Sequence, residues 1–264
     1  MPAAPVLTLR PGRERSLKRR HPWIFSGAVK RLPHDLVPGD VVAVRSADGE
    51  FLAWAWANPA SQIVGRVLSF DEGEAIDAEF IAGRITAAAT RRADLASRTD
   101  AARLVFSESD GLPGVIADRY GDVVVLELTT AGADGVRHEL AEALMALPGV
   151  STVYDRSDAD VRKREGLAPR TGLLAGAEPP ELVEITEDDH RFLVDVRRGH
   201  KTGFYLDQRE SGGGRSARRG PSGPQHLLLH RCVQRDRGGG RNFVTSSAST
   251  RVDRRWSSPA GTWS

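Results

Sequence analysis

The stretch that decides the fold is PGDVVAVRSADGEFLAWAWANPASQIVGRVLSF, residues 38–70. It contains three β-rich runs with partial alternation of apolar and polar residues: DVVAVRS, FLAWAWA and IVGRVLSF. Turn signals at Pro38-Gly39-Asp40, Asp48-Gly49 and Asn58-Pro59 bound these runs. A further β-rich run, VLTLR, lies upstream at residues 6–10. Short strands at this spacing predict a compact, barrel-like β-module.

A basic and aromatic cluster lies between the first run and the opening stretch. Its cations are Arg10, Arg13, Arg15, Lys18, Arg19 and Arg20, and His21, Trp23 and Phe25 follow them closely. Guanidinium groups can pair with phosphates while aromatic faces stack on bases, as in RNA-binding surfaces. The alternative is a solvated helix face whose tryptophan plugs the barrel. The residues alone leave both interpretations open.

The chain downstream of the barrel alternates helical and β-rich patterns. Residues 77–94 have apolar residues at helical spacing and predict a connecting helix. Residues 103–130 form a second β-rich block, residues 134–150 an amphipathic helix stopped by Pro148-Gly149, and residues 151–158 a strand. This order predicts an α+β domain that extends to about Val194.

Two short motifs in this region allow a functional and a structural interpretation. Ser107-Glu108-Ser109-Asp110 could supply paired carboxylates for acid–base chemistry, but an aspartate before glycine also caps a turn. We favour the capping role because no catalytic partner is evident. The basic run at residues 161–165 could contact RNA or form a solvated face, and we favour RNA slightly.

The charge of the chain is unevenly distributed. The net charge is +2, but residues 211–264 carry ten arginines and two aspartates, which leaves −6 for residues 1–210. Any RNA-binding surface in the body must therefore be local. Cys232 is the only cysteine, which excludes a disulfide framework and a cysteine-based zinc site. We predict no metal site, and the absence of a long apolar run or an N-terminal signal pattern predicts a cytoplasmic protein.

Five motifs, taken together in order and spacing, resemble one enzyme family. They are RERSLKRRHPWIFSGAV, PGDVVAVRSADGEFLAWA, ESDGLPGVIADRYGD, VRKREGL and GHKTGFYLDQRE, and the likeness covers about residues 6–210. The chain resembles bacterial class I S-adenosylmethionine-dependent RNA methyltransferases of the ribosomal large-subunit RNA methyltransferase I type. The resemblance implies formation of 5-methylcytosine in ribosomal RNA, a cysteine nucleophile acting at cytosine C6, and a homodimer as a compatible assembly.

The resemblance implies a multidomain fold of α+β and α/β class. We expect an N-terminal PUA-like β-barrel that binds RNA (residues 1–72), a central α+β domain (73–186), and the start of an incomplete Rossmann-like methyltransferase domain (187–210). Under this interpretation the RNA-binding candidates are Arg13, Arg15, Lys18, Arg19, Arg20, His21 and Trp23. The segment KTGFYLDQR would border the methyl-donor pocket, and its S-adenosylmethionine-binding candidates are Lys201, Thr202, Gly203, Phe204, Tyr205, Asp207, Gln208 and Arg209. The alternative is a structural segment that packs on the sheet.

The resemblance stops after about residue 210. The family's glycine-containing loop, acidic ribose-binding strand and catalytic cysteine segment have no counterpart, so we predict no catalytic residue and no methyl transfer by this chain. When residues 225–235 are read one base later, freely chosen codons can spell Asn-Thr-Phe-Cys-Tyr-Thr-Gly-Ala-Phe-Ser, which matches the missing loop. Residues 244–251 can spell the missing strand in the other shifted frame. We interpret residues 211–264 as out-of-frame sequence, and the alternative is a natural Arg/Gly-rich arm that binds RNA.

Overall fold

The computed structural model describes residues 4–187, 190–199, 202–204, 206 and 233–234. The predicted residues Lys201, Tyr205, Asp207, Gln208 and Arg209 lie outside this set. So does the predicted tail at residues 211–264, which includes Cys232, except for residues 233–234. In the described part of the chain, no helix is long and apolar enough to cross a membrane. The same residues contain no group of three or more potential metal ligands.

The N-terminal domain is a six-stranded sheet wrapped around an apolar core, as the sequence predicted. Its strands are β1 (Val6–Leu9), β2 (Trp23–Phe25), β3 (Val29–Arg31), β4 (Val41–Arg45), β5 (Phe51–Ala57) and β6 (Ile63–Ser69), with a short helix α1 (Arg15–Lys18). The strand order is β2-β6-β5-β4-β1-β3. Apolar residues of these runs, such as Leu7, Leu9, Val42 and Val44, are buried together in the core of this domain.

The central domain is a five-stranded sheet with helices on one face. It comprises α2 (Ala78–Thr90), β7 (Ala101–Phe106), β8 (Val115–Tyr120), β9 (Val123–Leu128), α3 (Ala131–Gly135), α4 (Arg137–Met145), β10 (Thr152–Ser157) and β11 (Arg170–Gly176). The strand order is β11-β10-β9-β8-β7. Only β9 and β10 pair in parallel, because α3 and α4 cross between them. The predicted helix over 77–94 is confirmed as α2, and Asp77 caps its start by accepting a hydrogen bond from the Phe80 amide (3.0 Å).

The helical region after β9 differs from the prediction. We expected one helix over residues 134–150, but a short α3 capped by Thr130 precedes α4. Val136 lies outside helical geometry between them, at φ −102° and ψ 25°. Gly132 explains the position of α3, because a Cβ there would lie 2.2 Å from the Trp56 ring. The helix therefore begins where Gly132 packs against Trp56 of β5, and helical periodicity carries no information about this contact.

A third, smaller sheet packs on the other face of the central sheet. It contains β12 (Val183–Glu187), β13 (His190–Val194) and β14 (Val233–Gln234), in antiparallel pairs. Its apolar residues form one core with Ala101, Tyr120, Val123 and Val125 of the central sheet. The central sheet is therefore covered by helices on one face and by this sheet on part of the other.

Candidate nucleic-acid interface

The basic cluster is exposed on the surface of the barrel. Leu17 is 2% exposed and anchors α1 to the barrel core. The side chains around it remain at the surface, namely Arg13, Arg15, Lys18, Arg19 and Arg20. The residue that plugs the barrel beneath α1 is thus Leu17 rather than the tryptophan. Five of the seven predicted RNA-binding residues are therefore exposed and lie in α1 or within two residues of it.

Two of these cations have partners within the domain. Lys18 forms a 2.8 Å ion pair with Glu50, and this hydrogen bond raises the pKa of Lys18. Arg20 adopts a left-handed backbone conformation (φ 64°) that ends α1, and its guanidinium lies 4.6 Å from the centre of the Phe70 ring. Both side chains remain exposed, so phosphate contact is sterically open to them. A phosphate would have to compete with Glu50 for Lys18 and with the Phe70 ring for Arg20.

The aromatic part of the cluster is a triangle of three rings in mutual contact range. Trp23 and Phe25 meet edge to face at 6.3 Å, and His21 lies 6.0 Å from Trp23 and 6.4 Å from Phe25. The three rings differ in exposure. His21 is exposed and Phe25 is 50% exposed, whereas Trp23 is half-buried and its indole N–H donates to Glu108 Oε1 at 2.7 Å. Trp23 therefore connects the barrel to the central domain.

A buried polar cluster strengthens the same domain junction. We name it the junction cluster and define it as Asn58, Ser61, Arg66, Glu108 and Glu165. Arg66 contacts Glu165 at 3.1 Å and Glu108 at 3.4 Å, and its side chain is 14% exposed. Glu165 also accepts hydrogen bonds from Ser61 (2.8 Å) and from the Asn58 amide (3.0 Å). Three barrel residues thus converge on two carboxylates of the central domain.

The hydrogen bonds of the junction cluster control the ionisation of both carboxylates. Burial by itself would raise the pKa of Glu165, but donors from Asn58, Ser61 and Arg66 outweigh it and lower that pKa below its usual value. The pKa of Glu108 is lowered in the same way, with burial opposed by hydrogen bonds from Ser107 and Trp23. Both groups are therefore carboxylates at neutral pH, and the cluster is held together by charge-assisted hydrogen bonds.

The motif at residues 107–110 has the structural role that we favoured. Asp110 is 5% exposed, and its carboxylate accepts from Arg91 (2.6 Å), from Arg92 (2.7 Å) and from the Phe106 amide (2.6 Å). Ser107 adopts a left-handed conformation (φ 49°) and accepts a hydrogen bond from the Gly114 amide. The carboxylate of Asp110 is thus enclosed by structural donors.

The basic run at residues 161–165 is divided between buried and exposed side chains, and the RNA contact that we slightly favoured stays a prediction for the exposed ones, Lys163 and Arg164. Arg162 is 2% exposed and donates to the backbone carbonyls of Leu128 and Ala168 and to Asp134. Lys163 is exposed and pairs with Asp160 at 2.8 Å. The run therefore stabilises the connection after β10, and its Glu165 belongs to the junction cluster.

The described part of the predicted donor-binding segment is attached to the central sheet. The Thr202 hydroxyl donates to Asp118 at 2.5 Å and lies 3.0 Å from the Tyr120 hydroxyl, which accepts from the Phe204 amide at 3.1 Å. Burial, followed by the nearby Asp118 charge, raises the pKa of Tyr120, so its hydroxyl stays protonated.

Backbone geometry and ring packing hold the same segment in place. Gly203 has φ +137°, and a Cβ there would lie 2.9 Å from Val194. The Phe204 ring packs 5.7 Å from the Phe192 ring. Thr202 and the Phe204 amide thus direct their hydrogen bonds inward, and the donor-binding role of the segment stays a prediction.

The fold and these sites define a PUA-like domain joined to a methyltransferase-like fold. Residues 7–70 match the family model described as a PUA-like domain. The structure superimposes with a TM-score of 0.65 on a Streptococcus mutans protein named as a SAM-dependent methyltransferase, and equally on SMU.776, named as a methyltransferase complexed with SAH. Each is 24% identical, and the match covers 78% of this chain and 52% of that chain. The predicted fold class is confirmed.

The curated relatives carry a more specific name. Over 207 residues the chain is 48% identical to "Ribosomal RNA large subunit methyltransferase I" of Cronobacter sakazakii and of Erwinia tasmaniensis. It is 47% identical to the protein of the same name from Yersinia pseudotuberculosis. The match covers 78% of this chain and 52% of each relative, so the chain spans about half the length of the curated relatives it matches.

Sequence reasoning missed most of the junction cluster. Arg66, Glu165, Asn58 and Ser61 are far apart in sequence, and no local pattern joins them. One signal was present, because Arg66 lies in a β-rich run where a charged residue on a buried face needs a partner. The sequence also did not show that Phe25 is exposed whereas Trp23 is half-buried and hydrogen-bonded to Glu108.

Proposed function

We propose that the chain is the RNA-recruiting portion of an S-adenosylmethionine-dependent methyltransferase of large-subunit ribosomal RNA, of the type that forms 5-methylcytosine. The observation that carries the proposal is the 48% identity over 207 residues to relatives of that name. The division at residues 1–72, 73–186 and 187–210 is part of the proposal, and a ribosomal RNA partner implies a cytoplasmic location.

The exposed cations on α1 fit the recruiting role. They lie in α1 or directly beside it, and an RNA backbone offers a phosphate every few ångströms, so several can bind at once. The junction cluster fixes this turn relative to the central domain through contacts at 2.7–3.4 Å. RNA held on the barrel would thus have a defined position relative to the segment at residues 202–206.

Substitution of the least engaged cations tests the RNA contact. The triple variant Arg13→Ala, Arg15→Ala, Arg19→Ala should weaken RNA binding and reduce the slope of log affinity against log salt by about 2, because each lost phosphate contact removes roughly 0.7–0.9. The matched control is Lys163→Ala, an exposed and ion-paired lysine of the central domain. An unchanged slope in the triple variant would place the RNA site elsewhere.

When bound, S-adenosylmethionine supplies an activated methyl group. The described residues near the predicted pocket fit an anchoring role for this segment better than direct contact with the donor. Thr202 and the Phe204 amide hydrogen-bond to the sheet, and a Cβ at Gly203 would meet Val194 rather than open space. This chain's own contribution is thus to hold the segment against Asp118 and Tyr120.

We further propose that these 264 residues do not catalyse methyl transfer by themselves. No cysteine follows residue 232, and the family motifs that resemblance places downstream have no counterpart. The test is transfer of a radiolabelled methyl group to ribosomal RNA, with a full-length relative as the positive control. Turnover by this chain would contradict the proposal.

A second candidate function is an RNA-binding protein that does not bind the methyl donor. The inward hydrogen bonds of Thr202 favour it. Titration calorimetry with S-adenosylmethionine separates the two candidates. Measurable affinity supports a retained donor pocket, and its absence, together with intact RNA binding, supports the binding module.

A further inference from the structure

We propose that Phe25, together with His21, forms a stacking platform for one unpaired nucleobase of RNA, next to the phosphate-binding turn. The proposal rests on the proposed RNA-binding function. It adds a residue that the basic cluster does not include and a ligand class, a base in a single-stranded segment.

The exposure of Phe25 is the first observation. The Phe25 side chain is 50% exposed, so part of its ring is open to a ligand. Phe106, which is 47% exposed, differs because the Arg103 guanidinium lies 5.2 Å from its ring centre. Phe25 also lies on β2, an edge strand of the six-stranded sheet.

His21 and Trp23 lie at similar distances from Phe25 and from each other, and this triangle of rings gives the platform its shape. His21 is tilted by 42° relative to Phe25 at 6.4 Å, and Trp23 abuts Phe25 at an interplanar angle of 82°. Trp23 is fixed by its hydrogen bond to Glu108, so it supports Phe25 from one edge and limits its motion. A rigid, supported ring loses little conformational entropy when a base stacks on it.

Charge complementarity identifies the occupant as RNA. The turn directly before the rings, residues 10–20, contains six cations and one acid, Glu14. A cationic stripe beside an exposed ring is the arrangement with which proteins bind single strands, since the charges hold phosphates and the ring accepts the base. In a duplex the bases are stacked inside and unavailable to the ring.

The test measures binding of the full chain to two RNAs, an unstructured oligouridylate of about ten nucleotides and a blunt RNA duplex. Phe25→Ala should weaken binding to the oligouridylate roughly tenfold, with less than twofold change for the duplex and an unchanged salt slope. Phe25→Leu keeps the apolar volume but has no π-face, so it should weaken binding to the oligouridylate nearly as much. Phe25→Trp keeps an aromatic ring and should bind like the wild type. The control is Val37→Ala at an equally exposed barrel site.

The outcomes separate this proposal from the one it rests on. If Phe25→Ala weakens both RNAs equally, or if Phe25→Leu binds the single strand like the wild type, base stacking is refuted and the ring is a general apolar contact, such as one for a protein. The phosphate-binding turn would stand in that case. If the wild-type chain binds neither RNA, the proposed RNA-binding function itself fails.

Discussion

Removal of one charge from the junction cluster should loosen the two domains measurably. The perturbation is Glu165→Gln, which keeps the shape of the side chain and replaces one carboxylate oxygen by an NH₂ group. Glu165 is 4% exposed at its side chain, and its two oxygens receive Ser61 and Arg66 on one side and Asn58 on the other. The glutamine side chain has one oxygen, which can accept on one side only. Its NH₂ group on the other side must therefore face a hydrogen-bond donor from the barrel.

The expected cost follows from these contacts. Loss of a hydrogen bond to a charged group costs about 1.5–3 kcal/mol, and complete removal of one partner from a buried ion pair costs about 3–5 kcal/mol. Arg66 keeps a weaker contact with Glu108 at 3.4 Å, which moderates the loss. We therefore expect the free energy of unfolding to fall by about 3 kcal/mol, equivalent to a Tm decrease of about 6–12 °C for a chain of this size.

Urea unfolding of the full chain, with thermal unfolding in parallel, measures this change. The matched control is Glu50→Gln, which breaks a 2.8 Å ion pair with Lys18 whose side chains are 51% and 58% exposed. Because solvent screens this exposed pair, its loss should change the free energy of unfolding much less than Glu165→Gln does. If the two variants lose the same stability, or if Glu165→Gln unfolds like the wild type, the junction cluster does not hold the domains together.

Three further outcomes follow from contacts on the central sheet and its junction. Gly132→Ala should cost about 2–3 kcal/mol because the new Cβ would lie 2.2 Å from Trp56, whereas Gly135→Ala in the same helix meets open space and should be neutral or slightly stabilising in thermal unfolding. Burial raises the pKa of the half-buried Glu127, and repulsion from two aspartates raises it further. Ionisation of Glu127 therefore lowers the free energy of unfolding as pH rises through that pKa. Glu127→Gln should therefore raise the free energy of unfolding at pH 7 but not at about pH 4, and an equal change at both values would contradict this. For Glu165 the pH dependence of stability has the opposite sign, because its pKa is lowered in the folded state. Its contribution to the free energy of unfolding is complete above about pH 4.3 and is lost as pH falls through its folded-state pKa. The stability gap between wild type and Glu165→Gln should thus shrink in acid, and a gap that is constant with pH would show that the charge of Glu165 is not its source.

Local patterns predicted the secondary structure because local physics determines most of it. The β-rich runs of residues 38–70 became β4, β5 and β6, since turn residues bound each run and the apolar residues of the runs are buried in one core. α2 formed where Asp77 caps a regular apolar spacing. The helix over 134–150 was mispredicted in its start because Gly132 packs against Trp56 of another domain, and periodicity carries no information about such a contact.

The candidate site was predicted less completely than the secondary structure, because contacts between the two domains decide which of its side chains are exposed. The sequence indicated a basic turn with aromatic neighbours, and the structure places that turn at the surface. Composition could not show that Trp23 hydrogen-bonds to Glu108 while Phe25 stays exposed. Nor could it show that Arg162 is buried in a run that is otherwise charged. Charge runs indicate a surface, but only tertiary contacts show which members are free.

The central sheet connects the two ends of the proposed function. The barrel attaches through Glu108, directly after β7, and the segment at residues 202–204 attaches to Asp118 and Tyr120 of β8. Phe106 pairs with Ile116 in the antiparallel ladder, so the two attachment points are separated along β8 by only about 15 Å. A buried, hydrogen-bonded strand cannot change that length. If RNA binds on the barrel as proposed, it would thus be held at a fixed offset from the segment at residues 202–204, through hydrogen bonds that are buried or partly buried.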